Sequence, residues 1–147
     1  MHRSPREKAL VWIVRPSALG PEVLLLERPK KRGGGLHPVT GKADGGETPE
    51  ASALREAHEE TKITGPLSSL NFAHGYEDAR RGPMREHAFL LRAEAGAEPT
   101  ISDEHIAFRW VRSDEADALL EWPAHRQSLR LALIAWTRKP HIHGGKK

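Results

Sequence analysis

The chain contains no cysteine. That excludes a disulfide framework, a thiol nucleophile and a Cys-ligated zinc site. No apolar run approaches the ~20 residues a membrane-spanning helix needs. The apolar stretch after residues 1–8 (MHRSPREK) is also too short for a signal peptide. Aromatic residues make up only 5% of the chain, and no interleaved aromatic and basic platform appears. This argues against a dedicated nucleic-acid partner. Internal repeats, low-complexity segments and a clear domain boundary are all lacking. What remains is 147 residues, 37% hydrophobic and 29% charged, which fits one soluble globular domain with a sizeable core. A cytoplasmic enzyme with no membrane partner is the expectation.

The net charge is +3, and much of the excess sits at the ends, in Arg3, Arg6 and Lys8, then Arg138, Lys139, Lys146 and Lys147. Solvated tails explain this better than affinity for a polyanion. Loose ends are expected at about 1–8 and 139–147, including the His141 and His143 pair.

Ala9–Val14 (ALVWIV) and Val23–Leu26 (VLLL) read as buried strands around a turn marked by Pro16 and Gly20-Pro21. Gly33–Gly35 suggests a phosphate loop, but no G-x-x-x-x-G-K-[ST] follows, so a flexible loop is expected. Further strands are expected at Leu36–Thr40, Leu67–Ala73, His87–Ala93 and His105–Val111. In the last, Ile106, Phe108 and Trp110 line one side. The polar segment 75–86 reads as a hairpin loop. Its Arg80, Arg81 and Arg85 are candidates to touch a phosphate or base, and Tyr76 could stack on a base. A short helix should open at Ser113 as its cap and run through Leu120. A final helix from about Ala124 to Thr137 carries the stripe Leu129, Ala132, Leu133, Trp136. Strands interleaved with helices indicate an α/β fold.

The most informative stretch is Gly41–Ile63, GKADGGETPEASALREAHEETKI. Thr48 is a candidate N-cap and Pro49 suits the first helical position, so a helix over Pro49 to about Thr61 follows. Helical spacing places Glu56, Glu59 and Glu60 together, with Ala51, Leu54, Ala57 and Thr61 turned toward a core. Carboxylates this close repel unless a cation neutralises them, and an all-oxygen set suits Mg²⁺ or Mn²⁺. Arg55, four residues before Glu59, could brace a carboxylate.

The order Gly41, Glu47, Arg55-Glu56, Ala57, Glu59-Glu60, Lys62, Ile63 resembles the signature of the Nudix hydrolases, G-x5-E-x7-R-E-U-x-E-E-x-G-U with U a bulky aliphatic. Two positions depart from it. Lys62 stands where the family has Gly, which leaves the helix in a left-handed turn, and Ala57 is small for U. VTG, REAHEETKI, REHAFLLRA, SDEHIAFRWV and WPAHRQSLRLALI extend the likeness over most of residues 9–136. There the chain looks like the bacterial dATP and dihydroneopterin triphosphate pyrophosphohydrolases.

The resemblance implies a mixed β-sheet sandwiched between helices, as one domain over 1–147. It implies Mg²⁺-dependent cleavage of a nucleoside triphosphate-like small molecule to monophosphate and pyrophosphate, with Mn²⁺ as a possible substitute. Glu56, Glu59, Glu60 and Glu104 would hold metal, helped by the backbone around Thr40-Gly41. Glu56 or Glu104 would accept the proton, Arg55 would orient the helix carboxylates, and Glu47 would support the turn or bind metal through water. Arg28, Thr40, Lys42, Arg80, Arg81 and Arg85 are the candidate substrate contacts. A dinucleoside polyphosphate, nucleotide sugar or RNA 5′ end stays open as substrate. So do a non-catalytic nucleotide-sensing domain and a homodimer.

Overall fold

The computed structural model describes residues 4–138. Its organising strand is β1, Arg6–Arg15. Side chains alternate across a strand, so a continuous apolar run must be buried on both faces. Ala9, Val11 and Ile13 enter one hydrophobic cluster, while Leu10, Trp12 and Val14 enter another.

Along one edge β1 pairs in parallel with β6, Gly82–Arg92. Its other edge is shared by β4, Val39–Lys42, and the start of β2, Glu22–Glu27, both antiparallel. β7, Ala107–Arg112, runs along the outer edge of β2, and the short β3, Leu36–His37, pairs with the end of β2 on the edge that faces β1. Antiparallel to β6 lies β5, Leu67–Asp78, completing a mixed seven-stranded sheet.

Helix α1, Pro49–Thr61, covers one face through Ala53 and Ala57, whose small side chains let it lie close against β1 and β4. After the single-turn α2, Ser113–Ala116, helix α3, Pro123–Thr137, covers the other face through Leu129 and Ala132, with Leu133 and Trp136 beside them. Burying a side chain of Leu129's size contributes roughly 1.5–3 kcal/mol. The mixed sheet between helices is therefore as expected.

Several local expectations need correction. The strand expected over Leu36–Thr40 is two strands, because Pro38 has no N–H to continue a ladder. The chain changes partner there, from β2 at His37 to β1 at Val39. Segment 75–86 is not a loop but the far half of a β5–β6 hairpin, paired as far as Asp78↔Gly82. Lys30–Arg32 forms a 3-10 turn within the expected loop. Arg6–Lys8, expected to be loose, belong to β1, while the tail 139–147 lies outside the described residues. Ser113 is the first residue of α2 rather than its cap, and Arg112 occupies the cap position. Ile106 is exposed and precedes β7, so only Phe108 and Trp110 of the expected apolar side pack inward. On α1 the buried face is Ser52, Ala53, Ala57, Glu60 and Thr61; Ala51 and Leu54 face solvent.

The ends of α1 show why it is a helix. Thr48 Oγ1 accepts from Ala51 N at 3.1 Å, satisfying one orphan amide at the N-terminus. At the C-terminus, Lys62 takes the left-handed conformation, φ 63° and ψ 10°, and donates its N–H to His58 O. The exit geometry is thus kept without glycine, at the steric cost of a Cβ in that region. Lys62→Gly is expected to stabilise the fold by about 1 kcal/mol. Urea unfolding would show this as a higher midpoint at unchanged slope.

Candidate active site

The Gly-rich turn after β4 folds onto α1 through one side chain. Arg55 grips the Glu47 carboxylate with Nε at 2.8 Å and a terminal nitrogen at 3.1 Å. It also donates to Lys42 O at 2.9 Å, and reaches Glu56 at 3.3 Å and Glu59 at 3.1 Å. Glu47 accepts from Asp44 N at 2.8 Å, which closes the turn on itself. The planar guanidinium is suited to hold several oxygens in one plane. Arg55 holds Glu47 below the usual carboxylate range, with the Asp44 amide adding to the effect.

The three helix carboxylates diverge. Glu59 is mostly exposed. Glu56 lies against Gly41, where a Cβ would fall 2.0 Å from its carboxyl carbon. Only glycine leaves room for it. Burial pushes Glu56 up to about 7, with Glu59 and Glu60 adding repulsion and Arg55 opposing. Glu60, buried at 5% exposure, turns inward between α1 and the segment before β7. Ser102 Oγ donates to it at 2.5 Å. His105 Nδ1 is 3.1 Å away but too far off line for a good hydrogen bond, so Ser102 carries more of the restraint. Burial would raise Glu60, but His105 and Ser102 outweigh it and the group titrates below its ordinary value.

Behind His105 stands His37. Their Nε2 atoms are 3.1 Å apart, and His37 Nδ1 lies 2.5 Å from Pro38 O. Burial, then the charges of Arg28 and His105, hold His37 down to about 3. A neutral His37 therefore donates from Nδ1 to the carbonyl and accepts at Nε2. Glu104, mostly exposed, is 3.9 Å from Arg32. Among the described residues, no three acidic or histidine side chains already converge as a metal-holding group.

On the other face of the sheet, a cleft of about 530 Å³ opens between β1, β5, β6 and the start of α3. Arg28 and Thr40 line it, 3.4 Å apart. Lys42, Arg80, Arg81 and Arg85 are not among its lining residues. Lys42 and Arg85 are exposed, and Asp78 organises the hairpin tip by accepting from Arg80 N and Arg81 N. The sequence reading missed Lys8, His74, Glu86, Trp122 and His125, which line the cleft; Tyr76, considered there for stacking, lines it too. The available signal was a Glu on the inward side of an otherwise apolar strand, at position 86. The two regions meet on β4. Thr40 faces the cleft and the next residue, Gly41, receives Glu56.

This geometry has close relatives. The family model of the NUDIX domain matches residues 5–132, so the chain belongs to the Nudix family. The fold is similar to that of a Caenorhabditis elegans Ap4A hydrolase, with a TM-score of 0.76, 25% identity and coverage of 89% of this chain and 98% of that one. It also matches the Escherichia coli dihydroneopterin triphosphate pyrophosphohydrolase, with a TM-score of 0.73, 22% identity and coverage of 90% and 99%. A sequence relative, an octanoyltransferase of Myxococcus xanthus, is 33% identical over 134 residues. That match takes in 88% of this chain but spans only 38% of the relative's length.

Nudix hydrolases use divalent metals, and the residues here fit one. The donors are all hard oxygens, and Glu56 rests in a cradle that a Cβ would fill. Gly41→Ala would displace that carboxylate. Mn²⁺ affinity, read by electron paramagnetic resonance, is expected to fall roughly 10- to 100-fold.

His37 gives the fold an acid sensitivity. Unfolded, it takes up a proton near pH 6.5; folded, only near 3. Below about 6.5 the unfolded state therefore binds a proton that the native state refuses, and stability is lost as pH falls toward 3. Between pH 7.5 and 5 the loss should be about 2 kcal/mol. Urea midpoints across that range should fall less steeply in His37→Gln.

Proposed function

We propose that the chain hydrolyses a nucleoside triphosphate-like substrate, of the dATP or dihydroneopterin triphosphate class, to the monophosphate and pyrophosphate with Mg²⁺. The observation that carries this reading is the contiguity of the carboxylates with the cleft across Thr40-Gly41. A triphosphate bound there would have its organic end among Tyr76, Trp122 and Glu86, and its anhydride at Glu56. A divalent cation, when bound, supplies charge neutralisation for the phosphate oxygens and acidifies water for in-line attack.

The chain's own residues then divide the work. Glu56, Glu59, Glu60 and Glu104 would hold the cation, with the backbone at Thr40-Gly41 adding an oxygen. Glu56 is the better proton acceptor. It is partly desolvated and pushed up to about 7, whereas Glu104 is mostly exposed beside Arg32. Arg55 keeps Glu56 and Glu59 aimed, and Glu47 holds the turn. Arg28, lining the cleft beside Thr40, suits a phosphate oxygen.

Glu59→Gln and Glu60→Gln should each lower kcat by on the order of 100-fold at saturating Mg²⁺. A change of only a few-fold would remove both from the metal site. Assaying nucleoside triphosphates, dinucleoside polyphosphates, nucleotide sugars and 5′-triphosphorylated RNA, with products resolved, tests the substrate class. Pyrophosphate released from the triphosphates is the expected result.

A further inference from the structure

Three strands bring three ionisable side chains into one row on the cleft floor. Lys8 on β1 pairs directly with Glu86 on β6, and Glu86 with His74 on β5. Glu86 is 4% exposed, although Ala88 and Leu90, its neighbours on the same face of β6, are plain core residues. A carboxylate in such a place costs stability that an apolar residue would not, so its chemistry calls for an explanation.

The carboxylate is held but not saturated. His74 Nε2 meets Oε1 at 2.8 Å. Lys8 Nζ forms an ion pair with Oε2 at 3.5 Å and also donates to Tyr76 Oη at 3.0 Å. Each carboxylate oxygen has two lone pairs, so acceptor capacity is left over in a residue that lines the cleft. Burial pushes Glu86 up, but His74 and Lys8 outweigh it and keep the group ionised, an acceptor only. Two aromatic side chains flank this floor. Trp122 is 60% and Tyr76 37% exposed, and both line the cleft. Tyr76 is stacked on His74, with ring centroids 5.6 Å apart, which leaves Trp122 as the open aromatic face. An open aromatic face beside a buried acceptor suits a flat ring whose edge carries N–H donors.

Resting on the hydrolase reading above, we propose that Glu86 is the specificity-determining residue of the cleft. Its carboxylate reads a planar heterocycle with two adjacent donors, an amide N–H beside an exocyclic amine, as in guanine or a 2-amino-4-oxopteridine. Both oxygens can then accept at once. Adenine presents its amine flanked by ring-nitrogen lone pairs, so it offers one hydrogen bond and repels the second oxygen. A site built to hydrogen-bond a donor discriminates strongly against a ligand lacking it.

The test combines two readouts on wild type, Glu86→Gln and Glu86→Asp. Calorimetry gives the affinities for GMP and AMP, and steady-state assays with Mg²⁺ give kcat/KM for GTP and ATP. Wild type is expected to favour guanine by roughly tenfold or more in both. Glu86→Gln should bring the ratio near one by weakening the guanine side, and Glu86→Asp should keep part of the preference. Equal or adenine-favouring behaviour in wild type overturns the proposal, as does Glu86→Gln weakening both purines alike. Should neither variant fold, the wild-type ratio decides alone. A guanine preference in binding without turnover of any triphosphate would sustain the Glu86 assignment and defeat the hydrolase reading. Turnover without preference would do the reverse.

Discussion

One guanidinium against a crowd of carboxylates is the contact on which the rest of the site depends. Glu47, Glu56 and Glu59 all lie within 3.3 Å of Arg55, and Asp44 is 3.7 Å away. Without that cation the Gly-rich turn and the helix would repel each other across their shared edge. With it, a loop that has no regular structure of its own is fixed to a helix that has. The bond from Arg55 to Lys42 O extends the hold to the end of β4, the strand that carries Thr40 and Gly41. A lysine could neutralise one partner but could not span this many oxygens in a plane. Arg55 is thus a positioning residue whose effect reaches both ends of the proposed site.

The second constraint is steric, and it lies on one strand. Alternation along β4 sends Thr40 to the cleft and opens Gly41 to α1, so adjacent residues serve opposite faces of the sheet. Glu56 can approach the backbone only because nothing projects from Gly41. Glu60, one turn further on, is drawn the other way by Ser102, and Glu59 is left in solvent. The carboxylates share a stretch of helix without pointing at one spot. A bound cation would have to compete with Arg55 for Glu56 and Glu59, and with Ser102 and His105 for Glu60.

How much of this could be read in the chain depends on how local the interaction is. The start of α1 was legible because a cap and its amide are three residues apart, as at Thr48 and Ala51. The buried strands were legible where both faces are apolar, as in β1. The far half of the β5–β6 hairpin was not, because GYEDARRGPMRE is polar and its strand character comes from pairing with a neighbour. Lys62 departs from the glycine of the signature, yet it makes the same left-handed helix exit, because the His58 carbonyl takes its N–H. The inward turn of Glu60 was hidden for a different reason. Its partners, Ser102 and His105, lie far along the sequence, Ser102 being 42 residues away.

The cleft was least legible of all, and the reason is topological. On the α3 face, Leu10, Ala88 and Phe72 are apolar, and two residues along each strand stand Lys8, Glu86 and His74. No one strand carries an obvious motif. Parallel pairing of β1 with β6, joined through distant sequence, aligns the three substitutions into a single polar row. The sheet therefore changes from core to cleft in one step of register. Covering that step with a Leu at position 86 would simply lengthen the core toward Trp122. That the chain instead buries a carboxylate there, braced on two sides, makes the row a recognition surface and not an interrupted core.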